Sequence, residues 1–199
     1  MKLWDNNNSV NEKIIEFTVG DDRLNDLYLI KYDIKASISH AKMLYRSNLL
    51  SEIECDKIIN ILNEMLSQAE AGKLKIEKEF EDMHSKIEFI LTDKLGDIGK
   101  KIHTARSRND QVLVSIQLYL IDELNIIKTE IKSLFDLLIN LAKKNKNIIM
   151  PGYTHMRAAM PSSFGLWFSA YAEILIDDVI SMNSTIEIIN QNTLGSAAG

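Results

Sequence analysis

Leu120–Leu141 reads LIDELNIIKTEIKSLFDLLINL, and its spacing decides the fold class. Leu120, Leu124, Ile127, Ile131, Leu134, Leu138 and Leu141 follow one another in steps of three and four without a miss. Steps of that size align side chains on one face of an α-helix. A second run, Phe164, Phe168, Tyr171, Leu175, Val179, Met182, Ile186 and Ile189, does nearly the same. Sustained alternation of this kind forms the seam of a near-parallel bundle, with crossing angles of about 20°. At about 1.5 Å per residue each helix reaches about 45 Å. That is more than a compact monomer needs, so the expectation is a bundle extending across subunits. An ordinary intramolecular hairpin is the alternative.

Working outward, the segment between the two runs is MPGYTHMRAAMP, Met150–Pro161. Pro151-Gly152 is expected to stop the first long helix, and Pro161 suits the first turn of the next, where a missing N–H costs nothing. Upstream, Leu24, Leu27, Ile30, Ile34, Ile38, Ala41 and Leu44 predict a helix over 22–48. Ser51-Glu52-Ile53-Glu54 is a capping box opening a second helix, with Ile58, Ile61, Leu62, Met65 and Leu66 on its inner face and Gly72 as its stop. A third, shorter helix is expected from about Asp82 to Gly96. With only two prolines and eight glycines in 199 residues, few breakers interrupt this pattern. The fold class is all-α: an N-terminal helical domain over 1–102, then the start of a long-helix bundle over 103–199.

Composition narrows the function. The net charge of −5 argues against a nucleic-acid partner. A single cysteine, Cys55, precludes an internal disulfide framework and suits a reducing compartment. It falls in a helical pattern and reads as buried and inert. No apolar run approaches the ~20 residues that span a bilayer, and the N-terminus lacks the apolar run of a signal peptide. The expectation is a cytoplasmic protein with no membrane partner. The four histidines have no convincing metal-ligand spacing, and no glycine-rich phosphate loop occurs. Neither a metal nor a cofactor is expected.

His103-Thr104-Ala105-Arg106-Ser107-Arg108-Asn109-Asp110-Gln111 concentrates donors ahead of the first long helix. Arg106 and Arg108 offer bidentate donors to carboxylates. Thr104, Ser107 and Asn109 add neutral ones, and a helix N-terminus favours anions. A solvated basic loop capping the long helix is an equal alternative. His155, beside Thr154 in the connection, is the best general acid/base candidate, since an imidazole both takes and gives a proton near neutral pH. From this segment alone it reads equally as a histidine bonding loop backbone. His84, in Asp82-Met83-His84-Ser85, reads first as a capping or surface histidine.

Taken together, these segments resemble the argininosuccinate lyases of the aspartase/fumarase superfamily. HTARSRNDQV at 103–112 matches that family's first signature and PGYTH at 151–155 its second. DIKASISHA at 33–41, DMHSKIE at 82–88 and LGSAAG at 194–199 are similar to further family segments, in the same order. The resemblance implies reversible β-elimination of argininosuccinate to arginine and fumarate. The proton leaves carbon next to a carboxylate, and preplaced donors stabilise the resulting aci-carboxylate. It implies Ser107, Arg108 and Asn109 as carboxylate binders and Ser37 as a substrate contact. His84 and Thr154 become active-site residues, and His155 the catalytic histidine that helps protonate the leaving nitrogen. It also implies a homotetramer whose active sites draw on three subunits. Arg157 and Met160 stand where the family has glutamines, and the family's opening after Trp4 is missing. The family's mobile GSSxMPxKxNP loop, with its catalytic serine and a substrate-binding lysine, falls beyond Gly199. Little or no activity is therefore expected of this chain alone. A non-enzymatic homologue that kept the helical scaffold is the rival expectation.

Overall fold

A computed structural model describes residues 12–194. The elements, in order, are α1 (Glu12–Val19), α2 (Asp22–Arg46), α3 (Glu52–Glu70), α4 (Met83–Leu95), α5 (Asp97–Lys100), a 3-10 turn (Lys101–His103), α6 (Arg108–Lys144), β1 (Ile149–Thr154), β2 (Arg157–Ser163) and α7 (Phe164–Ile189). The fold is all-α apart from one two-stranded antiparallel hairpin. Among the described residues no helix is long and apolar enough to cross a membrane. The described residues form two compact units, one of residues 12–119 with 192–194 and one of residues 120–191.

In the first unit α2, α3 and α4 enclose the core. Ile30, Ile34, Ala41 and Leu44 of the expected α2 stripe are buried, while Leu24 and Leu27 remain exposed. Ile58, Ile61, Leu62 and Met65 of α3 and Ile87 and Leu91 of α4 close the cluster, and Cys55 lies buried within it. The α3 capping box forms as expected: the Glu54 N–H donates to Ser51 Oγ at 3.3 Å, and the Ser51 N–H donates to Glu54 Oε2 at 2.9 Å. Lys101, with Ser51, holds the Glu54 carboxyl down at about 2. Gly72, with φ +65°, follows the end of α3. At α4, Asp82 caps by accepting the Ser85 N–H at 2.7 Å, and Gly96 stops the helix with φ +60°. The chain then turns back so tightly that a Cβ on Gly99 would lie 2.2 Å from the Leu91 carbonyl oxygen.

In the second unit the expected long helices are present, but their connection differs. α6 ends at Lys144, before Pro151-Gly152 is reached, so those residues do not stop it. Pro151 instead pairs with Pro161 across the hairpin, and Pro161 lies in β2 rather than in the first turn of α7. α7 starts at Phe164, capped by Ser163 Oγ accepting the Leu166 N–H at 3.1 Å. Two prolines opposite each other are tolerated because a two-stranded ribbon has only edges. The register shifts between Pro151 and Tyr153, giving β2 one extra residue. Gly152 sits at that bulge, where a Cβ would come within 2.8 Å of the Met160 carbonyl oxygen. The two-residue tip is His155-Met156, both with positive φ (+49° and +63°), the backbone of a type I′ turn. Gly165 lets α7 start against the end of α6, because its Cβ would meet the Lys146 Cα at 2.6 Å. Farther along, α6 and α7 face each other across an apolar groove of about 340 Å³, lined by Ile131, Phe135, Leu175, Ile176 and Val179 with the stems of Lys128 and Lys132.

Candidate active site

The polar centre of the first unit begins on α2. Asp33 and Ser37 are one helical turn apart, so both point to the same face, and both are fully buried. A buried carboxylate must find charged or hydrogen-bonding partners, and Asp33 has two. His84, on the first turn of α4, places Nδ1 2.8 Å from Asp33 Oδ2. Arg106 brings Nη2 to 3.5 Å from Asp33 Oδ1 and donates from Nη1 to Ser37 Oγ at 2.9 Å. The expectation of a capping or surface histidine at position 84 is corrected here. Asp82 provides the cap, and His84 is 2 % exposed, turned inward by the buried charge. Arg106 is likewise enclosed, with a side chain 5 % exposed. Burial lowers its pKa from the ordinary guanidinium value, while the charge of Asp33 opposes that shift.

The next layer surrounds Arg108, the first residue of α6. Its Nε lies 3.5 Å from Asp82 Oδ2, its Nη1 3.7 Å from Glu88 Oε1, and its Nη2 donates to Ser85 Oγ at 3.4 Å. These contacts are long, and the buried Nη1 has no hydrogen-bond partner. Arg108 is thus surrounded by counter-charge yet retains donor capacity. His103 Nδ1 lies 3.0 Å from Glu88 Oε1, and this contact raises its pKa. Burial pushes the Glu88 carboxyl up, but the His103 hydrogen bond and the charges of Arg108 and His103 together bring it below its ordinary value. On the α2 side, His40 Nε2 donates to the Thr104 carbonyl at 2.9 Å. Burial and the Arg106 charge hold His40 down.

The α6 N-terminus satisfies part of its own need. Ser107 Oγ accepts the Asn109 N–H at 3.3 Å, and Asp110 Oδ1 accepts the Ser107 N–H at 2.7 Å. Ala105, with φ +57°, turns the chain immediately before this cap. Asn109 and Thr104 are exposed and Ser107 is half-buried, so their side chains are accessible beside Arg108. Ser37, His84, Thr104, Arg106, Ser107, Arg108 and Asn109 therefore belong to one region of the first unit. Thr154 and His155 lie in the second unit, exposed on the hairpin, with His155 at its tip. Asp33 and Glu88 went unnoticed as organising residues. The signal for Asp33 was available: an acidic residue four before Ser37 lies on the same helical face. Among the described residues no group of three or more His, Cys, Asp or Glu side chains is placed to hold a metal ion. Chemically, the region offers guanidinium and hydroxyl donors backed by buried carboxylates, an arrangement suited to a small polyanionic ligand.

An all-α scaffold with long helices and an arginine-bearing loop at the head of one of them defines a class, and comparison with known proteins identifies it. The chain belongs to the lyase family whose model matches residues 15–199. It is 50% identical over 198 residues to the argininosuccinate lyase of Phocaeicola vulgatus and 47% identical over 198 residues to that of Thermotoga neapolitana. All of this chain is covered in both cases, but it spans only 44% and 50% of those relatives' lengths. Among solved structures, EDDS lyase in complex with formate matches with a TM-score of 0.77 at 21% identity, covering 96% of this chain and 37% of that one. A fumarate lyase:delta crystallin from Brucella melitensis matches with a TM-score of 0.75 at 16% identity, covering 94% and 46%. These structural likenesses support the fold.

Proposed function

We propose that this chain is the N-terminal portion of an argininosuccinate lyase and supplies the carboxylate-binding part of its active site. The proposed reaction is reversible β-elimination of argininosuccinate to L-arginine and fumarate, in the cytoplasm. The observation that carries this reading is Arg108. It is a partly exposed guanidinium beside Ser107 and Asn109, held by Asp82 and Glu88 only at 3.5 and 3.7 Å. In this assignment Ser107, Arg108 and Asn109 bind substrate carboxylates and Ser37 is a substrate contact. Arg106 and Thr104 line the same loop, His84 adds a ring nitrogen, and Thr154 with His155 serves proton transfer to the leaving nitrogen. Developing negative charge on the aci-carboxylate would meet donors already in place, the condition under which electrostatic stabilisation is largest. The domain division we adopt is an N-terminal lyase domain over 1–102 and the start of the central bundle over 103–199. We also propose self-association, because α7 exposes Leu166, Ile174, Ile176, Ile180 and Ile188.

The test is calorimetric titration of the chain with argininosuccinate and with fumarate. Binding is expected, and Arg108→Lys should weaken it by about tenfold, because lysine cannot reproduce a bidentate fork. Adenylosuccinate serves as the control for a sister lyase. Absence of affinity for both ligands would remove the carboxylate-binding reading. Followed by fumarate absorbance, this chain alone is expected to turn over little or no argininosuccinate.

A further inference from the structure

We propose that Asp33 is the positioning residue of this site, one buried carboxylate that fixes His84 in a single tautomer and, through Arg106, fixes the Ser37 hydroxyl. The inference rests on the functional reading above but is argued from contacts of its own. Asp33 is fully buried in mid-helix on α2, and its two oxygens go to two different segments of the chain. Oδ2 meets His84 Nδ1 at 2.8 Å, and Oδ1 faces Arg106 Nη2 at 3.5 Å. A carboxylate only accepts, so the 2.8 Å contact assigns the Nδ1 proton to His84. In the neutral ring Nε2 then becomes an acceptor, and among the described residues no group is bonded to it. The second branch ends on a buried hydroxyl. Arg106 donates to Ser37 Oγ at 2.9 Å, occupying a lone pair of that hydroxyl and leaving its O–H to donate.

A purely packing role would tie α2 to α4 and to the loop before α6 without selecting a ring tautomer. The two roles therefore separate by spectroscopy. In the chain labelled with ¹⁵N-histidine, with His84→Gln used for assignment, long-range ¹H–¹⁵N spectra should show neutral His84 protonated at Nδ1. A ring protonated at Nε2 overturns the proposal, and this measurement needs no Asp33 variant. In Asp33→Asn the proton should move to Nε2, because the amide can donate to Nδ1, while far-UV circular dichroism keeps its helical signal. The variant should also bind fumarate about tenfold more weakly, the scale of one lost charge-assisted contact. Wild-type tautomer and wild-type affinity in a folded Asp33→Asn chain overturn the positioning role. If that variant loses its helical signal, the wild-type tautomer decides alone. Absence of fumarate binding by the unsubstituted chain overturns the substrate reading instead, and the tautomer still decides the role of Asp33.

Discussion

His103 and His40 border the same loop and shift in opposite directions. Glu88 raises the first, while burial and Arg106 lower the second. For His103 the sign follows from linkage. A raised folded-state pKa adds stability that is fully present below the ordinary imidazole value and lost as pH rises through the raised one. His40 works the other way: its contribution is present above the ordinary value and lost as pH falls through its depressed one. Glu88→Gln should therefore cost stability in mildly acidic solution and progressively less as pH rises through the His103 titration, leaving a constant part from Arg108. Urea midpoints compared across that range check this, and a pH-independent difference would exclude the His103 pairing as its source. His103 is nearly half exposed, so the effect is screened and small. At this scale the sequence disclosed residue types better than their roles. Arg106 and Arg108 read as equivalent donors, but one is enclosed by Asp33 and Ser37 and the other stays partly exposed between Asp82 and Glu88. That distinction depends on a residue 73 positions earlier in the chain, beyond the reach of local spacing.

The helix ends of the first unit were the most legible elements because their chemistry is local. Ser51 with Glu54, Asp82 with Ser85 and Gly96 stand where capping rules place them. Ser51→Ala should cost about 1 kcal/mol of stability. Gly99→Ala should cost more, about 1–3 kcal/mol as for an overpacked core, since its new methyl group would meet the α4 backbone rather than a movable side chain. Denaturant melts of both variants check the order, and an unaffected Gly99→Ala chain would show that α5 can shift aside. The hairpin was the element the sequence concealed. Pro151 and Pro161 looked like helix punctuation, and Arg157-Ala158-Ala159-Met160 carries little β-propensity. Its strands tolerate both prolines because a two-stranded ribbon has only edges.

On the scale of the molecule, each unit has its own balance of covered and uncovered apolar surface. The first has a closed core. The second exposes apolar side chains along α7, with Ile176 47% and Ile180 57% exposed, one helical turn apart. The three-and-four spacing picked out Phe168, Leu175, Val179, Met182 and Ile186, which are half-buried; these exposed isoleucines lie off that stripe, and no spacing rule says what covers them. Sedimentation of the chain at micromolar concentration should show association. Ile176→Lys with Ile180→Lys should shift it toward monomer while leaving the helical signal unchanged. A monomeric unsubstituted chain would contradict the proposed assembly.

The turn between β1 and β2 has a cost that an ordinary hairpin avoids. Left-handed backbone at a non-glycine residue is unfavourable by about 1 kcal/mol or more, and here two such residues stand in succession. Asn-Gly would fit this turn with less strain. Met156, 97 % exposed, loses no packing if replaced. Met156→Gly should therefore raise the melting temperature modestly while leaving the imidazole beside it in place, and calorimetric melting of that variant checks this. His155→Asn would also relieve the turn, but only by removing the proposed proton donor. Local stability and the proposed chemistry thus compete at position 155, and position 156 is where the turn can shed strain without touching the proposed proton donor.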